Sequence, residues 1–137
     1  RIDMASTQEL CKTTLEKVDD CLAVGVVDLN TGMLMGVHHV VPYFTQAYLD
    51  AVAAAAVEMF RGKTVRRIEE LLSAQRGEQL KDSFEEVFIS SPKTFHFMTV
   101  IKDKGAVVVM ITKKSTNQGM GWAALRSSLA AVKATLP

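Results

Sequence analysis

The chain has 137 residues, of which 48% are hydrophobic and 23% charged. This composition is typical of a folded globular protein and excludes disordered and collagen-like chains. The length predicts one domain, residues 1–137, that buries roughly two-thirds of its unfolded surface. Sixteen Lys and Arg residues oppose fifteen Asp and Glu residues, so no overall field attracts nucleic acid or an anionic membrane. The longest apolar stretch, residues 51–57, is far too short to span a bilayer.

The start of the chain and its cysteines indicate the compartment. Residues 1–5 are predicted to be a flexible leader, and no apolar segment typical of a signal peptide follows them. Cys11 and Cys21 are too few for a disulfide scaffold, and on one helix they would lie about 15 Å apart, beyond bridging range. We therefore expect a reduced, cytoplasmic protein.

The first third of the chain predicts a helix and a hairpin. Ser6 and Glu9 have the spacing of a capping box at the start of a helix over about residues 7–20. Residues 22–29 are short, apolar and rich in β-branched side chains, which predicts a strand buried on both faces. An Asn-Thr-Gly turn then leads into a second strand over residues 33–41.

The longest predicted element is a second helix over residues 45–75, with Thr45 as its N-cap. One side carries bulky apolar residues and the other carries alanines, so this helix can pack against a sheet and closely against another helix. Gly62 costs about 1 kcal/mol relative to alanine inside a helix. We therefore expect a kink or break at Gly62, before an extension over residues 61–76.

Three strands and a final helix complete the pattern. The strands are predicted over residues 84–90, 94–102 and 106–112, with Gly105 at positive φ in the tight turn between the last two. The final helix begins near Asn117. The order α-β-β-α-β-β-β-α, with strands apolar on both faces, predicts an α/β (α+β) fold. Helices cover both sides of a five-stranded antiparallel sheet in a three-layer α-β-α sandwich.

Residue types that carry chemistry are present but lack the spacing that chemistry requires. The run from Gly62 to Thr64 resembles the end of a phosphate-binding loop, but it lacks the earlier glycine and the preceding strand. His38 and His39 point to opposite faces of a strand, and no cysteine or carboxylate lies at zinc-ligand spacing. The sequence therefore predicts no catalytic residue, no metal and no cofactor.

A basic cluster near Gly62 is more informative. It consists of Arg61, Lys63, Arg66 and Arg67, and Glu70 lies at i,i+4 spacing from Arg66. The cluster is either a solvated helix face or a docking surface for an acidic protein partner. Nucleic acid is disfavoured because no aromatic residues are interleaved for base stacking.

Three stretches of the sequence resemble one known family. The first, residues 22–36, has a strand that ends in Asp, turns through Gly and returns. The second, residues 86–89, resembles that family's third strand. The third, residues 117–126, resembles the opening of its last helix. Together with the element order, these stretches resemble the roadblock family, the dynein light-chain and small-GTPase-regulator group related to the profilin and longin folds. The resemblance covers nearly the whole chain from Ser6. The second helix is longer here than in the family.

The resemblance implies an arrangement and an assembly. The second helix would cover one face of the sheet and the first and last helices the other, and a dimer would form through the second helix and the third strand. An apolar edge strand needs such cover in any case. The expected dimer interface comprises Ala47, Ala51, Ala54, Ala55, Phe84, Val87, Phe88 and Ile89.

Two functions follow as hypotheses. The first is a non-enzymatic dimeric scaffold that regulates a small Ras-like GTPase or assembles a signalling complex, with the basic cluster as its partner surface. The alternative is a sensory module that holds a small ligand in a pocket beside the sheet, near Tyr43, Phe44 and Trp122.

Overall fold

The computed structural model describes residues 6–137 and contains a five-stranded antiparallel sheet between two helical layers. The predicted leader, residues 1–5, lies outside the described residues. The elements are α1 (Thr7–Glu16), β1 (Cys21–Asp28), β2 (Leu34–His39), α2 (Gln46–Arg61), α3 (Lys63–Arg76), β3 (Glu86–Ser90), β4 (Thr94–Ile101), β5 (Ala106–Lys113) and α4 (Gln118–Thr135).

The sheet has the strand order β2-β1-β5-β4-β3, and every neighbouring pair is antiparallel. β5 occupies the centre, and all its residues from Ala106 to Thr112 are buried. This burial agrees with its continuously apolar sequence, because a central strand covered on both faces has no side that meets water. β2 and β3 are the two edges.

The helices cover the two faces as the resemblance implies. α1 and α4 pack on the face formed by Val24, Val26, Phe97 and other alternate residues. α2 packs on the opposite face, where its buried side chains meet those of β1, β4 and β5. The predicted three-layer sandwich and its antiparallel sheet are therefore confirmed.

Helix starts were predicted better than helix ends. Ser6 and Glu9 form the expected capping box, Thr45 accepts a hydrogen bond from Tyr48 N at 3.1 Å, and Asn117 accepts one from Met120 N at 2.9 Å. α1 ends at Glu16, however, and the prediction that it reaches residue 20 is wrong. Asp20 has a φ of 62°, a left-handed conformation that cannot continue a right-handed helix.

The predicted second helix is divided at Gly62 into α2 and α3. Gly62 is extended, with φ −64° and ψ 167°, and a Cβ there would lie 2.5 Å from the carbonyl oxygen of Glu58. Only glycine fits this break without displacing the end of α2. The extension over residues 61–76 is therefore a separate helix with its own direction.

The inward side of α3 differs from the apolar stripe of its sequence. Val65 and Glu69 are its buried residues, whereas Ile68 and Leu71 are 39% and 48% exposed. The stripe of Val65, Ile68, Leu71 and Leu72 is thus only partly buried. A charged side chain on the inward face needs partners of its own, described below.

The α1 layer approaches β2 closely at Gly36, and this contact gives a test of the packing. A Cβ on Gly36 would lie 2.9 Å from Gln8 N, so we expect Gly36→Ala to destabilise the fold by about 2 kcal/mol through overpacking. At Gly25, one strand away, a Cβ would meet its neighbours at 3.6 Å, an ordinary contact, beside an apolar cavity of about 20 Å³.

Urea unfolding of the two variants measures the difference. Gly25→Ala should leave the free energy of unfolding unchanged or raise it by up to about 1 kcal/mol, because alanine loses less backbone entropy than glycine. Equal stability of the two variants would contradict the close approach of α1 to β2.

Candidate functional site

The alanines expected at a dimer interface lie on the outer side of α2. Leu49, Ala53, Ala56 and Phe60 turn inward and are buried. The interface alanines all lie on the exposed remainder of the helix: Ala47, Ala51, Ala54 and Ala55. With side chains this small, a second helix can approach the backbone of α2 closely.

Strand β3 presents an edge of the sheet with apolar side chains on both faces. It pairs with β4 on one side, and among residues 6–137 it has no strand on the other. Val87 and Ile89 are half-buried on the α2 face, whereas Phe88, 37% exposed, points to the α4 face. There its ring centroid lies 5.2 Å from that of Phe97. Phe84 precedes the strand and packs under α2.

Two arginines of the basic cluster are engaged within the chain. Arg61 Nη1 donates to Asn30 Oδ1 at 2.6 Å, and Arg61 Nε lies 3.3 Å from Asp82 Oδ1. Arg66 binds Glu69 Oε1 and Asp82 Oδ1, each at 2.9 Å. These ion pairs hold the end of α2 and the start of α3 against the segment that leads to β3.

The other two cations of the cluster are more exposed. Arg67 pairs with Glu70 at 3.3 Å, and both side chains are about two-thirds exposed. Lys63 makes no ion pair with any other residue in the 6–137 range. The expected i,i+4 pairing of Arg66 with Glu70 does not form, because each arginine binds the glutamate three residues further along.

Glu69 is the anchor of this region, and the sequence analysis did not identify it. Only 2% of Glu69 is exposed, and its Oε2 accepts hydrogen bonds from the N–H and the Oγ–H of Ser83, both at 2.7 Å. Burial raises the pKa of this carboxyl, but the bonds from Ser83 and Arg66 outweigh burial and hold the pKa below its ordinary value. The i,i+4 spacing of Glu69 from Val65 is the signal that places it on the inward side.

A second charged surface lies beside α4 and was also not foreseen. It is an open cleft of about 590 Å³ between α4 and the strands β3 and β4. Arg126 binds the Glu86 carboxylate through two nitrogens, at 2.9 and 2.6 Å, and thereby lowers the pKa of Glu86. Lys102 pairs with Glu85, and Lys133 with Asp103. The charges of this cleft are therefore neutralised in pairs.

The aromatic residues proposed for a ligand pocket are not brought together. Phe44 stacks on Tyr48 with ring centroids 4.7 Å apart and packs on the α2 face. Trp122 packs against Phe97 on the opposite face of the sheet. The prediction of one pocket beside the sheet, near Tyr43, Phe44 and Trp122, is therefore wrong, since the sheet separates Phe44 from Trp122. The apolar cavity beneath α2, about 20 Å³, has room for no more than a single water.

Both cysteines lie in buried positions that disfavour the reactive thiolate form. Cys11 and Cys21 are buried and unpaired, and burial raises the pKa of each thiol to about 12. Both thiols are therefore neutral near pH 7 and unreactive. Over residues 6–137, no three His, Cys, Asp or Glu side chains are grouped closely enough to hold a metal ion.

Removal of the buried charge tests the anchor. Glu69→Gln leaves Arg66 and the two Ser83 donors with a weaker acceptor, so we expect a loss of about 2 kcal/mol in the free energy of unfolding at pH 7. Glu70→Gln removes the exposed pair and should cost less than about 0.5 kcal/mol. Because the Glu69 pKa is depressed, its contribution is present above about pH 4.5 and is lost as the pH falls further. A constant difference between wild type and Glu69→Gln from pH 7 to pH 3.5 would contradict the anchor.

Comparison with known proteins gives structural likenesses only. No protein-family model and no curated protein matches the sequence. Within the described residues, no helix is both long and apolar enough to cross a membrane.

Several solved structures have the same fold. A Roadblock/LC7 domain from Streptomyces avermitilis superposes with a TM-score of 0.71 at 13% identity, over 95% of this chain and 97% of that one. MglB from Myxococcus xanthus gives 0.69 at 16% identity, over 93% and 92%. A structure described as MglB with tetrameric arrangement gives 0.66 at 12% identity, over 98% and 96%. The predicted resemblance is therefore confirmed in the fold, and this chain has the fold of the Roadblock/LC7 domain proteins.

Proposed function

We propose that the chain is a non-catalytic binding module that forms a homodimer through α2 and β3 and, as a dimer, regulates a small Ras-like GTPase. The observation that carries the proposal is the apolar edge strand β3, which has no outer partner among residues 6–137, together with the exposed alanines of α2. The buried, unpaired cysteines fit a reducing, cytoplasmic setting.

The two edges of the sheet differ in a way that favours assembly at β3. At β2, the start of α1 lies against the face of the strand at Gly36, and on the edge Val37 N donates to Gln8 Oε1 at 3.5 Å. Edge β3 has no such cover among the described residues. Its free N–H and C=O groups and its half-buried Val87 and Ile89 are what a second copy of the strand would pair with and cover.

The alanines of α2 supply the second half of the surface. A stable protein interface buries about 1,200–2,000 Å² in total, more than a short edge strand provides alone. A row of alanines lets two helices pack with little loss of side-chain entropy. The tetrameric arrangement of a structural relative supports self-association of this fold.

A charge placed in the alanine row tests the dimer. The wild-type protein should have a mass of about 30 kDa by light scattering, twice that of the 15.0 kDa chain. Ala54→Glu should reduce it to the monomer mass, because a carboxylate would be buried at the interface without a partner. Since Ala54 is exposed in the single chain, the variant should still fold.

The matched control is Ala131→Glu, which places the same charge on an exposed alanine of α4, the helix on the other face. This variant should remain a dimer. A monomeric wild type, or a dimer that Ala54→Glu leaves intact, would contradict the proposed interface.

We propose that the GTPase binds the N-terminal half of α3. Arg61 and Arg66 already bind Asp82 and Glu69, which leaves Lys63 and Arg67 as the cations best placed to meet an acidic surface. Opposite charge at the rim of an interface accelerates encounter and orients the partners. The roadblock resemblance supports a Ras-like GTPase as that partner.

Charge reversal on α3 tests this surface. Titration with the Ras-like GTPases of the source organism, loaded with GDP or a non-hydrolysable GTP analogue, should identify one that binds. Lys63→Glu with Arg67→Glu should slow its association at least about tenfold at low salt and abolish the salt dependence. The control, Lys12→Glu on α1 with Lys17→Glu at the C-cap of α1, makes the same change in net charge and should bind normally. Equal binding of both double variants would contradict the α3 surface, and binding of no GTPase would contradict the function.

A further inference from the structure

His96 lies beside the edge that the proposed dimer uses. It is on β4, directly opposite Ile89 of β3 and Ile111 of β5 in the strand register. Strand alternation places it on the same face as Met98, the face that α2 covers. Its Nδ1 is buried and has no hydrogen-bond partner among the described residues.

The surroundings of His96 are apolar on each side. On this face β3 presents only Val87 and Ile89, and β5 presents Val109 and Ile111 before the exposed Lys113 at the end of the strand. The helix that covers the face, α2, carries the titratable residues Tyr48, Asp50, Glu58 and Arg61. Asp50 accepts a hydrogen bond from Gln46, and Arg61 is paired with Asp82. Burial alone lowers the pKa of His96, without a contribution from any neighbouring charge.

Dimerisation through β3 would deepen this burial. Directly opposed side chains on neighbouring strands have Cβ atoms about 4.5–5.5 Å apart, so a second copy that covers Ile89 also removes water from the adjacent imidazole. A neutral imidazole tolerates that loss, whereas an imidazolium does not, because its buried Nδ1 has no acceptor among residues 6–137.

We propose that His96 makes the homodimer pH-sensitive, so that protonation of its imidazole in mild acid favours the monomer. This inference rests on the dimer proposed above. Each protomer contributes one such imidazole, and the dimer therefore takes up two protons when it dissociates. If dimerisation lowers the affinity for each proton tenfold, the dissociation constant rises as the pH falls from 7.5 to 5.5, towards a limit of about a hundredfold when both imidazoles are protonated.

The test measures the dimer dissociation constant at pH 7.5, 6.5 and 5.5 by analytical ultracentrifugation. Wild type should show the rise, and His96→Gln, whose side chain does not titrate, should dissociate equally at the three pH values. The control His38→Gln with His39→Gln removes the two other histidines, on the far edge strand β2, and should keep the wild-type rise. A rise that persists in His96→Gln would overturn the inference.

A second measurement covers the case in which His96→Gln does not fold. The NMR titration of the His96 ring in wild type should give a lower pKa in the dimer than in the monomeric Ala54→Glu variant. Equal values in the two species would overturn the inference.

The two proposals fail in different ways. A wild type that is monomeric at every pH contradicts the dimer itself. A wild type that is dimeric with one dissociation constant from pH 7.5 to 5.5 leaves the dimer intact and contradicts only the role of His96.

Discussion

The rest of the structure depends on the need of β5 to be covered on both faces. Its residues from Ala106 to Thr112 are all buried, and a strand with no polar side cannot border water. Two helical layers are the necessary consequence, and the strand must lie at the centre of the sheet with partners on both sides. The backbone N–H and C=O groups that have no strand partner in this sheet are therefore those on the outer sides of β2 and β3.

The two edge strands, β2 and β3, differ in the contacts that they make within the chain. Gly36 admits the backbone of α1 against β2, and Gln8 of α1 accepts a hydrogen bond from Val37 N at that edge, whereas no strand among the described residues pairs with the outer edge of β3. The apolar residues of β3 lie on both of its faces and are only half covered by the chain itself. The interface proposed here is the completion of the sheet, and it requires no chemical group beyond the free edge and the alanines of α2.

The sequence was sufficient wherever a short stretch decides the structure. The caps at Ser6, Thr45 and Asn117 are interactions over three residues, and the central place of β5 follows from its own unbroken apolar run. The sandwich was therefore predictable. The expectation for the two interface elements also followed from local pattern, with alanines on one side of α2 and apolar residues in β3.

The candidate site was less predictable because its contacts join distant residues. Glu69 binds Ser83, fourteen positions away, and Arg61 binds Asn30, thirty-one positions away. A run of arginines is indistinguishable in sequence from a free basic patch, and only the fold shows which of them already hold carboxylates. The pocket near Trp122 failed for the same reason, since periodicity does not tell which face of the sheet a residue on another helix will occupy.

The anchor at Glu69 has a mechanical consequence. Ser83 stands just ahead of β3, so one carboxylate ties the middle of α3 to the root of the edge strand. Gly62 separates α3 from α2 at the N-terminal end of α3, so α3 does not continue the axis of α2 and depends on contacts such as those of Glu69 for its position. A displacement of α3 must therefore either move the start of β3 as well or break the hydrogen bonds between Glu69 and Ser83.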